Sequence, residues 1–481
     1  MNNFKQIVNK TFNNYSHKAD FLVRTSGYRS LKFDVQSYIV YNTKLNCPVF
    51  LQEEAWKLFL SYEYITEEIF ERLDKDGKEV IMCLIESYLY FPPNINEQLI
   101  CDIQNKNYMH EFEIGKTFEW LDLRISETCN FGCNHCIARE AHNNRLMSFE
   151  KAIELIEYYV KFKKDSEKDF NTLKIHFGNC EPLLNAKTIC RIVAYVNDCY
   201  PEYRKEYSIN TNLTLLDKKT AEFFMQNHVE IYTSLDGPEK ANDSIRTYKN
   251  GDGTYYDIIA KMNLLEEIGN PIRGISVTIT DENFEFLNEE FIEWCVKKNF
   301  ESVAYDFDLI NSSNIPTKEK AEFLCNTWKC FYERGIEFYG TWMTPFLNIS
   351  NYSVAVEPYS FCKAMFGKNI SVDMLGNIFA CSYSNKAICT FNNLNKAIKP
   401  GGEYYNLVKN HLVGSIIYPE CQDCIYEGAC NGQCNQTRMC ADNQTIQKQC
   451  DYYKIVTDTM LIEQAKMLKE EVERDESNKN A

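Results

Sequence analysis

Three thiols lie close together in Cys129-Asn130-Phe131-Gly132-Cys133-Asn134-His135-Cys136, a C-x3-C-x2-C arrangement. Thiolates at this spacing can share one metal centre, and two kinds of centre suit them. A zinc knuckle would recruit His135 or His142 as a fourth ligand and close a tetrahedron. An iron-sulfur cube would take one thiolate on each of three irons and leave the fourth iron open to a small chelating molecule.

A second set is spread over the last quarter of the chain. Cys421-x2-Cys424-x5-Cys430-x3-Cys434 follows Cys362-x13-Gly376-x4-Cys381 and precedes Cys450. Four such cysteines alone suit a zinc ribbon; seven exceed what one tetrahedral ion needs. The chain holds 21 cysteines in 481 residues. Its opening residues are polar and show no apolar stretch ahead of a small-residue cleavage site, so the chain is expected to be cytoplasmic, where thiols stay reduced and metal is the better use for them. Cys47, Cys83, Cys101, Cys295 and Cys325 stand apart and read as buried apolar residues.

The net charge of −16 comes without a basic run, which argues against nucleic acid as a partner and would suit a basic peptide. The uncharged stretch from Phe338 to Val356 is broken by Gly340, Pro345, Asn348, Ser350, Asn351 and Ser353, so no membrane partner is expected.

The elements that must position these cysteines fall into three regions and a tail. Residues 1–114 alternate strand-like stretches (Ser37–Tyr41, Pro48–Leu51) with amphipathic runs (Glu53–Phe59, Glu67–Leu73), and Pro92-Pro93 suggests a loop towards a linker. Residues 115–338 repeat a strand-helix unit six times. The strands are expected at Trp120–Ser126, Thr172–Gly178, Glu206–Thr211, Glu230–Leu235, Arg273–Thr280 and Ser302–Leu309. Helices are expected around Ser148–Lys163, Ala186–Asn197, Asp217–Asn227, Tyr255–Ile268 and Glu285–Lys298. Such succession implies an α/β fold with a parallel sheet that binds ligands at the carboxyl ends of its strands. Residues 339–453 have little periodicity and need metal to fold. Residues 454–481 read as a charged helix, Lys454–Arg474, and a frayed tail.

The first cysteine loop, placed directly after the first strand, resembles that of the radical S-adenosylmethionine (SAM) superfamily. Further segments extend the likeness. Gly178-Asn179-Cys180-Glu181-Pro182 resembles the G-G-E-P segment, with Asn179 and Cys180 in place of glycine. Asn210-Thr211-Asn212-Leu213-Thr214 resembles S/T-N-G-T, with Leu213 in place of glycine. Ser234-Leu235-Asp236-Gly237-Pro238, Asn242-Asp243, Arg246 and Gly253-Thr254-Tyr255 resemble the series of the subgroup that modifies peptides and proteins. The likeness implies a partial (β/α)6 TIM-like barrel. It further implies a [4Fe-4S] cluster on Cys129, Cys133 and Cys136 that cleaves SAM to a 5'-deoxyadenosyl radical. Glu181 would meet the methionine end of SAM, Asn210 and Ser234 would lie along its binding edge, Arg246 would pair with its carboxylate, and His135 would offer a ring to adenine.

The later cysteines resemble the SPASM extension, which carries two auxiliary [4Fe-4S] clusters. By that likeness Cys421, Cys424, Cys430 and Cys450 hold one, and Cys362, Cys381 and Cys434 hold the other, whose fourth ligand is Cys389, Cys440 or a substrate thiolate. Phe33–Tyr90 resembles, in pattern, the winged-helix elements that recognise leader peptides; a structural cap on the barrel is the rival reading. The implied partners are a ribosomally made precursor peptide with a leader and an electron donor such as flavodoxin or ferredoxin. The implied function is a peptide maturase that installs a thioether or carbon-carbon crosslink. Two alternatives stand beside it: an anaerobic sulfatase-maturing enzyme, in which the residue after the cysteine of the G-x4-C segment is a catalytic Asp where this chain has Ser382, and a metal-stabilised peptide-binding protein without catalysis. No residue is assigned as the base that deprotonates the intermediate. Three cubes correspond to roughly twelve irons per chain; iron analysis of anaerobically reconstituted protein is expected to return that number, and four or fewer would remove the auxiliary pair.

Overall fold

The computed structural model describes residues 4–16, 20–139, 142–350 and 357–479, apart from the side chains of 439–440 and 475–479. Cys440, one of the alternatives for the fourth auxiliary ligand, has its side chain outside the described residues.

The amino-terminal region contains β1 (Phe21–Arg24), β2 (Tyr28–Asp34), β3 (Ser37–Asn42), β4 (Asn46–Gln52), β5 (Tyr64–Thr66) and β6 (Tyr90–Phe91). These form two antiparallel sheets, ordered β2-β3-β4 and β5-β1-β6. Helices Glu67–Arg72 and Lys75–Glu86 begin where Thr66 and Asp74 accept from the backbone N–H groups of Ile69 and Gly77. Phe4, Leu22, Val40, Phe59, Phe70 and Leu84 belong to a second core, which Val413 of the cysteine-rich region joins. Pro92-Pro93 does not open a linker. Asn96 accepts from Leu99 N–H and caps helix Glu97–Glu113, whose Tyr108, Met109 and Phe112 enter the main core. Cys47, Cys101, Cys295 and Cys325 are buried as expected, whereas Cys83 is exposed because it lies on the outer face of helix Lys75–Glu86, opposite Ile81, Leu84 and Ile85.

The centre of the molecule is a parallel sheet with helices packed on it. Its strands are β7 (Trp120–Arg124), β8 (Thr172–Gly178), β9 (Arg204–Thr211), β10 (Val229–Thr233), β11 (Gly274–Ile279), β12 (Ser302–Phe307) and β13 (Glu337–Tyr339). β7 to β10 pair in sequence order, β11 to β13 likewise, and a parallel bridge between Ser234 and Ser276 carries the sheet from one group to the other. The helices expected between the strands are present, from Phe149–Ser166 to Glu289–Lys297. Leu121 and Leu123 turn into the core shared with these helices, as do Ile175, Phe177 and Ile209, so the alternate residues of each strand face the inside of the curved sheet.

Two features depart from the expected layout. The cysteine-rich region enters the central sheet: β14 (Asn369–Val372) pairs in parallel with β7, with Ser371 opposite Asp122, and β15 (Asn377–Phe379) and β16 (Cys389–Thr390) follow antiparallel. The last helix runs from Asn443 to Lys479, so Cys450 lies on a helix rather than in a turn-rich stretch. Within the uncharged run, Phe338 and Tyr339 end β13 and Met343–Ser350 form a short helix, and among the described residues no helix is long and apolar enough to cross a membrane.

The amino-terminal region docks against the second cysteine set by direct backbone contact. Gly428 N–H donates to Thr43 O at 2.9 Å, and Asn46 Nδ2 donates to Gly428 O at 3.1 Å. Lys44 Nζ lies 3.6 Å from Glu427, and Arg29 pairs with Asp458 on the last helix. A Cβ on residue 428 would sit 2.2 Å from Lys44 O. Neither backbone can yield without breaking these bonds, so Gly428→Ala is expected to destabilise this junction by about 1–3 kcal/mol. The change would be read as a lower melting temperature and faster proteolysis near residues 43–46.

Candidate functional site

The first cysteine loop leaves the sheet just after β7 and lies over its carboxyl edge, braced from three sides. Gly132 N–H donates to Thr247 O at 2.8 Å, and the Phe131 ring meets Tyr248 edge-on at 5.1 Å. From the end of β9, Asn212 Nδ2 donates to Asn130 Oδ1 at 2.9 Å, and Asn130 Nδ2 donates to Thr214 Oγ1 at 3.0 Å. From the end of β8, Glu181 N–H donates to Thr128 O at 3.0 Å. Cys129, Cys133 and Cys136 are half-buried; besides burial, the charges of Cys133 and Cys136 disfavour ionisation of Cys129, and that of Cys136 disfavours ionisation of Cys133. Burial, chiefly, pushes the Cys129 thiol up to about 12, so binding metal there must expel protons.

The residues that replace glycines keep the glycine backbone. Asn179, Cys180 and Leu213 have φ of 68°, 41° and 65°, in the left-handed region that L side chains avoid. Leu213 is fully buried; its apolar burial, worth about 1.5–3 kcal/mol, offsets a strain of about 1–2 kcal/mol. Strained turns thus converge at the ends of β8 and β9, beside the cysteine loop.

Glu181 is buried and acts as a strut. Its carboxylate accepts from Leu183 N–H at 2.9 Å, Thr211 Oγ1 at 2.6 Å and Asn212 N–H at 2.8 Å. Burial pushes this carboxyl up to about 7 against the pull of those donors. It ties β8 to β9 and fixes the 178–181 backbone.

Arg246 lies beneath Cys133 and Cys136, whose charges it feels. It grips Asp236 with two nitrogens, Nε to Oδ2 at 2.7 Å and Nη2 to Oδ1 at 3.2 Å, and Nη2 lies 3.4 Å from His135 Nε2. His135 Nδ1 is buried with no partner. Asn242, Asp243 and Thr254 brace this pair: Asn242 accepts from Asp236 N–H at 3.2 Å, and Thr254 Oγ1 donates to Arg246 O at 2.8 Å. Ser234 is half-buried at the bridge to Ser276, and the exposed Asn210 side chain hydrogen-bonds the Tyr383 hydroxyl. His142 lies instead beside Arg139 and Lys249. Among the described residues no three His, Cys, Asp or Glu side chains converge on one ion; a cube, bound through its corners, spaces its thiolates more widely.

The second set divides into two groups. Cys421, Cys424, Cys430 and Cys450 line one small cavity with Gln433. Gln433 Nε2 donates to Cys450 Sγ at 2.7 Å, while its Oε1 is buried without a partner. A soft, thiophilic centre suits this lining. Asn431, Gly432 and Gln433 all have positive φ, and this left-handed turn sends Cys430 and Cys434 to opposite sides. Cys434 faces Cys362 and Cys381. The Cys389 thiol faces Glu403, Tyr404 and Tyr158 instead.

Sequence reading missed the residues that join this set to the sheet. Arg124 on β7 donates through Nη2 to Cys381 O at 2.8 Å and Ser384 O at 2.6 Å, and its guanidinium lies 3.4 Å above the Phe379 ring. Asp122, on the same face, accepts from the Ser382 hydroxyl. Two charges alternating with leucines in Trp120-Leu121-Asp122-Leu123-Arg124 were the available signal. For the Arg246 pair, Asp236→Asn would leave a buried guanidinium without its counter-charge; a loss of about 3–5 kcal/mol is expected, measured as a lower denaturant midpoint.

Comparison with known proteins agrees with this geometry. Residues 123–291 match the family model of the Radical SAM superfamily. An uncharacterized protein of Methanocaldococcus jannaschii is 34% identical over 186 residues, 39% of this chain, and the match spans 61% of that relative's length. The radical SAM cyclopropyl synthase TigE of Paramaledivibacter caminithermalis is 25% identical over 345 residues, 68% of this chain and 70% of the relative. Among solved structures, native anSMEcpe with bound AdoMet superposes with a TM-score of 0.57 at 17% identity, covering 71% of this chain and 96% of that one. Streptococcus suis SuiB bound to precursor peptide SuiA gives 0.51 at 14% identity, covering 88% and 97%. The strained strand ends, the braced cysteine loop and these matches lead to one conclusion: residues 123–291 are a radical SAM region, and the chain is related to SPASM-type maturases of that superfamily.

Proposed function

We propose that this protein is a radical SAM peptide maturase that closes an intramolecular thioether or carbon-carbon crosslink in a ribosomally made precursor. The observation that carries the reading is the double use of β7. The strand leads into Cys129, Cys133 and Cys136 at its carboxyl end, and its Arg124 holds the Cys381 loop from inside the sheet. One strand thus holds both the first cysteine loop and the Cys381 loop, as a reaction that makes a substrate radical and then removes an electron from the product radical would use.

In this reading Cys129, Cys133 and Cys136 hold the cluster that, once loaded, cleaves SAM to a 5'-deoxyadenosyl radical. Arg246 keeps a nitrogen free of Asp236 for the SAM carboxylate. His135, Asn210 and Ser234 line the nucleoside side, and Glu181 fixes the loop that meets the methionine end. Cys421, Cys424, Cys430 and Cys450 hold one auxiliary cluster, and Cys362, Cys381 and Cys434 the other. The orientation of Cys389 favours Cys440 or a substrate thiolate at the remaining iron.

The amino-terminal region would present the precursor's leader. A cleft of about 810 Å³ supports this: Arg24, Tyr28, Lys44, Phe91 and Glu97 from that region face Asp423 beside Cys424. It offers main-chain edges, aromatic surface and both charges to an extended peptide. A flavodoxin- or ferredoxin-class donor would supply electrons. Formylglycine formation is the weaker reading, since the Ser382 hydroxyl is committed to Asp122.

The test is anaerobic turnover of reconstituted protein with reductant, SAM and the short peptide encoded beside its gene. The expected products are 5'-deoxyadenosine and a peptide lighter by two hydrogens. A peptide of unchanged mass, or conversion of a sulfatase-derived Cys or Ser peptide to formylglycine in its place, would overturn the crosslinking assignment.

A further inference from the structure

The inner face of the central sheet is covered over β7 and, among the described residues, open over β10 to β13. Asp122 and Arg124 are buried beneath the Cys381–Ser384 loop, whereas Glu230 and Tyr232 on β10, Ser276 on β11, and Glu337 and Tyr339 on β13 are exposed. These point away from the helices, because the alternate residues of the same strands, Val229, Ile275, Val303 and Phe338 among them, pack into the core. A seam runs through the open half. β10 and β11 meet at the Ser234–Ser276 bridge, where Leu235 N–H donates to Ser276 O at 3.0 Å, and otherwise belong to separate ladders. Tyr232, 49% exposed, stands on one side of the seam and Tyr339, 41% exposed, on the other.

Small residues make the floor between the two rings. Register sets Gly274 beside Ser302 and Ala304 beside Tyr339, and the Tyr339 hydroxyl hydrogen-bonds Ser302. A Cβ at 274 would lie 2.4 Å from Ser302 Oγ, so a larger residue there would displace the serine and raise the floor. Burial, the Glu230 carboxylate and Tyr339 all oppose ionisation of Tyr232, so the two rings lie within electrostatic reach of each other. Two carboxylates stand at one end. The Tyr232 hydroxyl donates to Glu230 Oε2 at 2.7 Å, and Glu337 lies near Tyr339 on the same strand. Glu206 on neighbouring β9 is paired with Lys174 and Arg204; among the described residues no cation is paired with Glu230 or Glu337.

Aromatic faces over a shallow floor, with unpaired carboxylates at the end, complement one kind of side chain: a cation on an apolar stem. We propose that this groove takes a lysine or arginine of the peptide substrate, its stem lying between Tyr232 and Tyr339 and its charge meeting Glu230 and Glu337. The proposal rests on the maturase reading above and names the residue type by which the substrate would be recognised. Tyr232 lies four residues before Asp236, the partner of Arg246, or about 13 Å of extended chain. The gripped side chain and the reacting residue therefore belong to one short segment of the substrate.

Binding can be read without knowing the precursor. The probes are pentapeptides, acetyl-Gly-Gly-X-Gly-Gly-amide with lysine, arginine, norleucine or glutamate at X, titrated into anaerobically reconstituted protein with SAM and followed by saturation-transfer NMR. The lysine and arginine peptides are expected to bind about tenfold more tightly than the norleucine peptide, with saturation strongest on their side-chain methylenes. Glu230→Gln/Glu337→Gln should abolish that preference, and Glu230→Lys/Glu337→Lys should turn it towards glutamate. Tyr232→Leu, at an exposed position, should weaken the lysine peptide about threefold. Glu289→Gln/Glu290→Gln, an equal loss of charge at the start of helix Glu289–Lys297, should leave the preference intact. Iron content and circular dichroism establish that each variant is loaded and folded. A wild type without preference for the cationic peptides overturns the proposal, as does a preference that survives Glu230→Gln/Glu337→Gln or is lost equally in Glu289→Gln/Glu290→Gln. Turnover of the precursor is scored apart: the expected preference in a protein that modifies no peptide removes the maturase reading and not the groove.

Discussion

Arg124 is a cation with almost no water around it. It is 2% exposed, and burial works against its charge. Among the described residues no carboxylate is bound to it; two backbone carbonyls, the Ser371 hydroxyl and the face of Phe379 share it instead. Those carbonyls exist in the right place only when the Cys381–Ser384 loop is folded, and the loop keeps its position only while the cation is there. A charge stranded in a sheet interior costs several kcal/mol, so the two conditions are met together or fail together. The same strand runs into the first cysteine loop, so spacing between the two thiol sets is set by the length of β7 rather than by any flexible join.

Parts of this were legible beforehand for simple reasons. Strands such as Thr172–Gly178 and Ser302–Phe307 combine β-branched and aromatic residues with clear alternation, and helices such as Phe149–Ser166 repeat their apolar residues at helical spacing. Cysteine spacing is equally plain. β14 was not legible, because four residues, Asn369–Val372, carry no period of their own and become a strand only by pairing with β7. Nor was the helix start at Asn443, where polar residues cover a segment held by Cys450 and its neighbours. Asp122 hid in plain view: one acidic residue between leucines looks like an outward-facing position until the opposite face is known to be covered by helices.

The departures from glycine at 179, 180 and 213 turned out to concern side chains and not the path of the chain. All three positions keep positive φ, because the hydrogen bonds of Glu181 to the end of β9 and of Glu181 N–H to Thr128 over-determine the turn. Side chains added there do not close the loop; they add an amide and a thiol to its surface. Asn179 Nδ2 is buried and unpartnered, so the cradle has become more polar than a pair of glycines would leave it.

The helix Asn443–Lys479 has a consequence for how the molecule is put together in the cell. Near its foot is Cys450; farther along, Asp458 meets Arg29 and Tyr426, Glu463 meets Lys329, and Lys469 meets Asp34. One rod therefore touches the thiol cavity, the helix flanking the sheet and the amino-terminal region in turn. A cluster held by Cys421, Cys424, Cys430 and Cys450, as proposed above, would pin the foot of the rod and with it the height at which the later contacts engage. In the proposed reading, occupation of that cavity and seating of the amino-terminal region would be two ends of one lever, since a single helix carries both sets of contacts.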